Sequence, residues 1–230
     1  MSSSISIGTA FRDLGRFLTF RATSEEYDRF GLPHFLIGFL FTWLVGIARN
    51  WDFPAAPLAA RAGLMSLAYI FFMGMVIFLF AWPISGTRRN YWQVLTVVAM
   101  TAPPGLVYGI PVEMFLPLDV AQGVNLWFLA IVATWRVALA FHFLIRGADN
   151  GFGQAFAILL TPIALLVLGL VTTGRAGYVM DIMGGLRKKA PTAQDQVDEV
   201  IALAYCLAWP LLVVGAIVYL GALVRGRSET

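Results

Sequence analysis

The run Leu126-Trp-Phe-Leu-Ala-Ile-Val-Ala-Thr-Trp-Arg-Val-Ala-Leu-Ala-Phe-His-Phe-Leu-Ile145 decides the fold. A bilayer core about 30 Å thick is crossed by roughly 20 mainly apolar residues in a helix. This stretch is long enough and carries one charge, Arg136. It is apolar all round and lacks the alternation of a membrane β-barrel strand. A helix also satisfies its own backbone hydrogen bonds inside lipid. Working outward, spans of this kind fall near 32–48, 63–84, 92–112, 124–145, 153–173 and 200–224, and residues 35–48 hold no charge. Trp51, Tyr91, Trp92 and Trp127 fit the interfacial edges. The 230 residues are 59% hydrophobic and 13% charged, with mean hydropathy +0.77, too apolar to cover a water-facing surface. That balance excludes a disordered chain, a disulfide-rich secreted module and a conventional soluble enzyme. The expectation is an all-α, polytopic transmembrane bundle of about six spans over 31–225, with an arm at 1–30 and a tail at 226–230.

The formal charge of +3 is modest and scattered, so no nucleic-acid partner is expected. Among the 16 basic residues only Lys188 and Lys189 are lysine. With the N-terminus in the cytoplasm, that side collects Arg12, Arg16, Arg21, Arg29, Arg88, Arg89, Arg146, Arg225 and Arg227. The other side collects Arg49, Arg61, Arg175, Arg187, Lys188 and Lys189. The imbalance favours an inner (plasma) membrane protein with both termini cytoplasmic. Residues 1–30 lack the apolar core of a signal peptide, and the lone Cys206 allows no internal disulfide.

Residues 9–21 set Phe11, Leu14, Phe17 and Leu18 on one helical face, with Thr9 available as a cap. One reading is an interfacial amphipathic helix whose Arg12, Arg16 and Phe17 contact lipid. The other is an arm packed on the protein's own loops. The loop 174–199 holds an apolar stretch at 178–183 and a Gly184-Gly185 hinge, which fit either a lid or a plain connector.

Arg136 is the candidate centre. A guanidinium at the middle of a span costs at least about 2.5–3.5 kcal/mol, so it should face protein or water. Pro103 and Pro104 in the third span lack amide donors and free the carbonyls of Ala99 and Met100. Counting about 1.5 Å per residue inward, Arg136 and those carbonyls fall at similar depth. Tyr108 and Thr134 are secondary members of the cluster, and Pro162 and Pro210 suggest further helix breaks at that level. Such a layer serves first as a structural clamp and, as the alternative, as a permease site for an anion or polar solute.

His34 and His142 are the two histidines, and a pair could hold a haem between helices. No cofactor or metal is expected beyond that alternative, since His-x-x-x-His and paired-cysteine spacings are absent. Glu25-Glu26 with Arg29 has a superficial likeness to an element of intramembrane prenyl-protein endopeptidases. The spacing is one residue short, the segment lies outside the spans, and the companion histidines are missing. Asp52 has no candidate base at a useful spacing. An enzyme is not expected.

The stretch 32–173 resembles the Yip-type, Rab-GTPase-interacting membrane proteins and uncharacterised bacterial inner-membrane relatives. The likeness rests on the Pro-containing third span with Tyr108, on Trp135-Arg136, and on Gly151-Phe-Gly-Gln-Ala155 leading into the Pro162-bearing fifth span. The family's usual five spans are exceeded here by a sixth. The resemblance implies membrane organisation or partner recruitment. The functional expectation is a non-enzymatic scaffold or accessory subunit that meets the bilayer and a membrane-protein partner or a second copy of itself.

Overall fold

A computed structural model describes residues 6–51, 57–85, 89–177 and 191–228. Asp52, Arg88, Arg187, Lys188, Lys189, the 178–183 stretch and the Gly184-Gly185 pair lie outside the described residues. Two short helices come first, α1 (Ile7–Leu18) and α2 (Ser24–Asp28), followed by α3 (Leu32–Asn50) and the single turn α4 (Leu58–Arg61). Then come α5 (Leu64–Ser85) and α6 (Tyr91–Met100), the latter continued by 3-10 turns at Pro103–Gly109 and Val112–Met114. The chain ends with α7 (Leu118–His142), its π-helical extension Phe143–Gly147, α8 (Phe152–Thr172) and α9 (Pro191–Ser228). Among the described residues, six segments are long and apolar enough to cross a membrane: Leu32–Asn50, Leu64–Ile84, Tyr91–Met114, Leu118–Gly147, Phe152–Thr172 and Asp198–Val224. No strand occurs among the described residues. The fold is an all-α bundle of about six spans.

Local chemistry sets the helix starts. Ser6, not Thr9, caps α1, its hydroxyl accepting the Thr9 N–H at 3.1 Å. Glu26 reaches back to the Thr23 N–H at 2.8 Å and closes the first turn of α2. Pro33 sits in the first turn of α3, where its missing N–H costs nothing. Asn90 caps α6 through the Gln93 N–H at 2.9 Å. The expected loop 174–199 is shorter than its polarity suggested. Its described residues 191–199 are helical: α9 covers Pro191–Ser228 and runs through these polar residues into the sixth span.

The double proline ends α6. Without amide donors at 103 and 104, the ladder tightens, and the Ala99 carbonyl takes the Ala102 N–H at 3.1 Å. The helix carries on as 3-10 turns. Pro162 and Pro210 do not act likewise: α8 and α9 run through them as continuous helices. The expected layer of broken helices is therefore confined to the third span.

One core unites α1, α2 and the first five spans, with Leu14, Phe17, Tyr27, Phe35, Leu95, Leu139 and Ile158 all buried in it. Close backbone contact stiffens its centre. A Cβ on Gly38 of α3 would lie 2.7 Å from Ala99 C and Met100 N, so only glycine permits this approach to α6. The sixth span packs chiefly on α8 around a small cluster of Ala164, Leu168 and Ala208. There Gly215 lies against Thr161, a small-residue helix contact of the kind membrane bundles use.

Candidate functional site

The intramembrane cluster forms where α3, α5, the broken third span and α7 meet. Arg136 Nε donates to the Thr101 hydroxyl at 3.1 Å, and that hydroxyl donates in turn to the Val98 carbonyl at 2.7 Å. The guanidinium carbon also stands 5.6 Å from the centre of the Tyr69 ring, within cation–π range. Arg136 thus reaches the proline break through a side chain. The expected direct clamp on the Ala99 and Met100 carbonyls is not what forms. Ala99 is already bonded along its own chain, and both residues are fully buried against Gly38.

Tyr108 serves a different cation. Arg49, from the end of α3, lies over the Tyr108 ring at 4.8 Å. Thr134 is exposed, on another face of α7 from Arg136. Pro103 and Pro104 contribute by ending α6 at the turn that presents Thr101. Sequence reasoning missed Arg49, Tyr69 and Thr101. The signal for Thr101 was available, since it is the hydroxyl nearest the proline pair. Arg49 falls just beyond the expected span 32–48, whereas α3 runs through Asn50 and carries Arg49 onto the Tyr108 ring.

A second polar cluster lies at the opposite end of α3, where the chain enters the bundle. Helix α1 buries Ala10, Asp13, Leu14 and Phe17. The Asp13 side chain has no exposure and meets the equally buried His34, Oδ2 to Nε2 at 3.2 Å. His34 Nδ1 accepts the Gly31 N–H at 3.3 Å, so the proton sits on Nε2 and is donated to the carboxylate. Arg29 stands 3.8 Å from Asp13 Oδ1 and 3.8 Å from Glu26 Oε1, while Arg16 Nε lies 2.6 Å from Glu26 Oε1. Burial pushes the Glu26 carboxyl up, but the Thr23 N–H with the Arg16 and Arg29 charges outweighs it. The net value falls below the ordinary glutamate range. Burial, and then the Glu26 charge, push the Tyr27 phenol well up, so it stays protonated and can donate to His142 Nδ1, 2.7 Å away. The Trp135 indole closes the far end of α1 by donating to the Leu18 carbonyl at 3.1 Å.

These contacts revise the arm. Phe17 is fully buried, edge-on to Tyr27 and Phe30, so it does not face lipid. Arg16 is held by Glu26 and by the Arg21 carbonyl, leaving Arg12 as the exposed basic residue of the expected three. The haem pairing fails on donor chemistry. Both ring nitrogens of His34 are already hydrogen-bonded inside the core, with Phe30 stacked on the ring at 4.8 Å.

Fold and site together define a class, the multi-pass helical membrane protein, here with its N-terminal helices docked as a cap on one end of the bundle. No protein-family model, curated protein or solved structure matches the chain.

Proposed function

We propose that the protein is a non-enzymatic scaffold or accessory subunit of the inner membrane, with both termini cytoplasmic and a cap that recruits a membrane-protein partner. One observation carries the reading. Helix α1 is fixed on its inner face by the Asp13–His34 and Arg16–Glu26 pairs, while Ile7 and Phe11 on its outer face are 69% and 48% exposed beside Arg12. A helix held rigidly with an apolar pair outward has already lost the freedom that binding would otherwise cost it. The resemblance to Yip-type proteins points to the same recruiting role. The test is copurification in mild detergent. A stoichiometric partner should be retained by the wild type and lost on Ile7→Asp with Phe11→Asp. A partner retained by that variant, or none at all with the wild type, counts against the proposal.

A second reading rests on Arg136. Among the described residues its contacts are a hydroxyl and an aromatic ring, and neither neutralises it. A cation so held inside the spans suits a permease for an anion or small polar solute. Arg136→Lys keeps a charge but loses the planar fork. Uptake into proteoliposomes that this variant weakens at unchanged stability supports the permease, and wild-type proteoliposomes that accumulate no anion remove it.

A further inference from the structure

A cavity of about 760 Å³ opens between the cap and the bundle, bounded by the 20–24 link, the start of the third span and the end of the fourth. That is the size of a small-ligand site. Three guanidiniums line it from three separate segments: Arg21 after α1, Arg89 just before α6, and Arg146 in the π turn. Arg89 pairs with Asp28 at 2.5 Å, but Arg21 and Arg146 make no ion pair among the described residues. The Arg16 guanidinium donates to the Arg21 carbonyl at 3.0 Å and fixes the backbone that carries one of these two cations. Thr23 and Ser24 add hydroxyl groups to the wall, and Asp149 adds a second carboxylate.

The backbone around the cavity is unusual in the same place. Phe20 and Asp149 both line it, and they are the non-glycine residues with positive φ among the described residues, at 59° and 55°. That region is uncommon for a bulky residue such as Phe20, whereas Asp tolerates it, and both occur where the wall turns. The π turn holds its shape through the Ala148 N–H on the Phe143 carbonyl at 2.9 Å, and through the Asn150 side chain on the Leu144 carbonyl at 3.1 Å. Here the turn carries Arg146 into the cavity wall.

We propose that this cavity binds a phosphate-class oxyanion, gripped by Arg21 and Arg146 with Arg89 at its side. Planar guanidinium forks match phosphate oxygens, and neighbouring hydroxyls can donate to those that remain. Arg89 lies two residues before Tyr91, where the third span begins, so the site is at headgroup depth. Its phosphate can come from a lipid headgroup or from a soluble phosphate compound. The inference is independent of which partner the outer face of α1 takes.

The test uses the full chain in nanodiscs of phosphatidylcholine and reads thermal unfolding. One arm titrates inorganic phosphate and pyrophosphate. The other adds phosphatidic acid to the bilayer, with a fatty acid as an anionic lipid lacking phosphate, and also reads retained lipid by mass spectrometry. Saturable stabilisation in the first arm assigns a soluble ligand. Stabilisation by phosphatidic acid but not by fatty acid assigns the headgroup. In either case Arg21→Gln with Arg146→Gln should weaken binding about tenfold or more, and Arg175→Gln, at the other end of the bundle, should not. Arg21 and Arg146 are exposed and make no ion pair among the described residues, so the double variant should melt like the wild type without ligand. No saturable response in either arm overturns the proposal, as does equal binding by the double variant or equal response to fatty acid.

Discussion

Replacing His34 by phenylalanine tests the cap directly. The substitution fills a similar volume in the core but removes the Nε2 donor from Asp13, whose side chain has no exposure. The Asp13 Oδ1 atom already lacks a hydrogen bond, and the guanidinium of Arg29 is 3.8 Å away. The carboxylate then stays buried with little compensation, which costs about 3 kcal/mol or more when one partner of a buried pair is lost. The cost falls on docking of α1, because undocking is what returns Asp13 to water. Local opening should therefore become on the order of 100-fold more frequent, at about 1.4 kcal/mol per factor of ten. Hydrogen–deuterium exchange of residues 7–18, followed by mass spectrometry in detergent, measures it peptide by peptide. Adding Asp13→Leu to the same chain should restore most of the protection, since an apolar pair leaves no stranded charge. Unchanged exchange in α1 with His34→Phe refutes the clamp. A double variant as open as the single one refutes the buried-charge account of it.

Gly38→Val should be more damaging than its size suggests, because the new Cβ meets Ala99 and Met100 backbone atoms at 2.7 Å rather than a movable side chain. Overpacking of about 1–3 kcal/mol or more is expected, read as a lower melting temperature and yield. Acidification should loosen the cap. Glu26 has a folded value below its ordinary 4.5, so its contribution is present above that pH and fades as pH falls through the lowered value. Exchange in α2 followed from neutral to acid pH checks this, and Glu26→Gln should remove that part of the pH dependence. Arg136→Leu deprives Thr101 and Tyr69 of their cation and should lower the melting temperature by the equivalent of about 1–3 kcal/mol. Melting at the wild-type temperature would mean that the guanidinium holds nothing.

The six spans were legible because lipid imposes a length and a polarity that a sequence must obey residue by residue. Where polarity and helicity part company, the same rule misleads. The 191–199 segment is polar, which makes it a loop on hydropathy, yet it is helical, and its Ala193, Gln194, Gln196 and Glu199 are compatible with a helix outside the bilayer. The prolines divide for a related reason. A single Pro162 or Pro210 removes one hydrogen bond, which neighbouring groups in a packed helix can absorb. Two in succession remove adjacent donors, and α6 ends there.

The arm gives the sharper lesson about the site. Reading 9–21 as amphipathic was sound, but an apolar stripe does not say whether lipid or protein lies opposite. The deciding residue was Asp13, which shares the 10–13–14–17 face with Ala10, Leu14 and Phe17. A carboxylate in the middle of a stripe meant for hydrocarbon would be stranded there, so a protein donor had to face it. His34, in the first turn of the first apolar span, supplies one. Each residue alone departs from its surroundings, Asp13 on a buried face with Ala10, Leu14 and Phe17 and His34 in an apolar span. Two such departures of complementary chemistry at the same bundle end are better read as one contact, and that contact turns a surface helix into a docked cap.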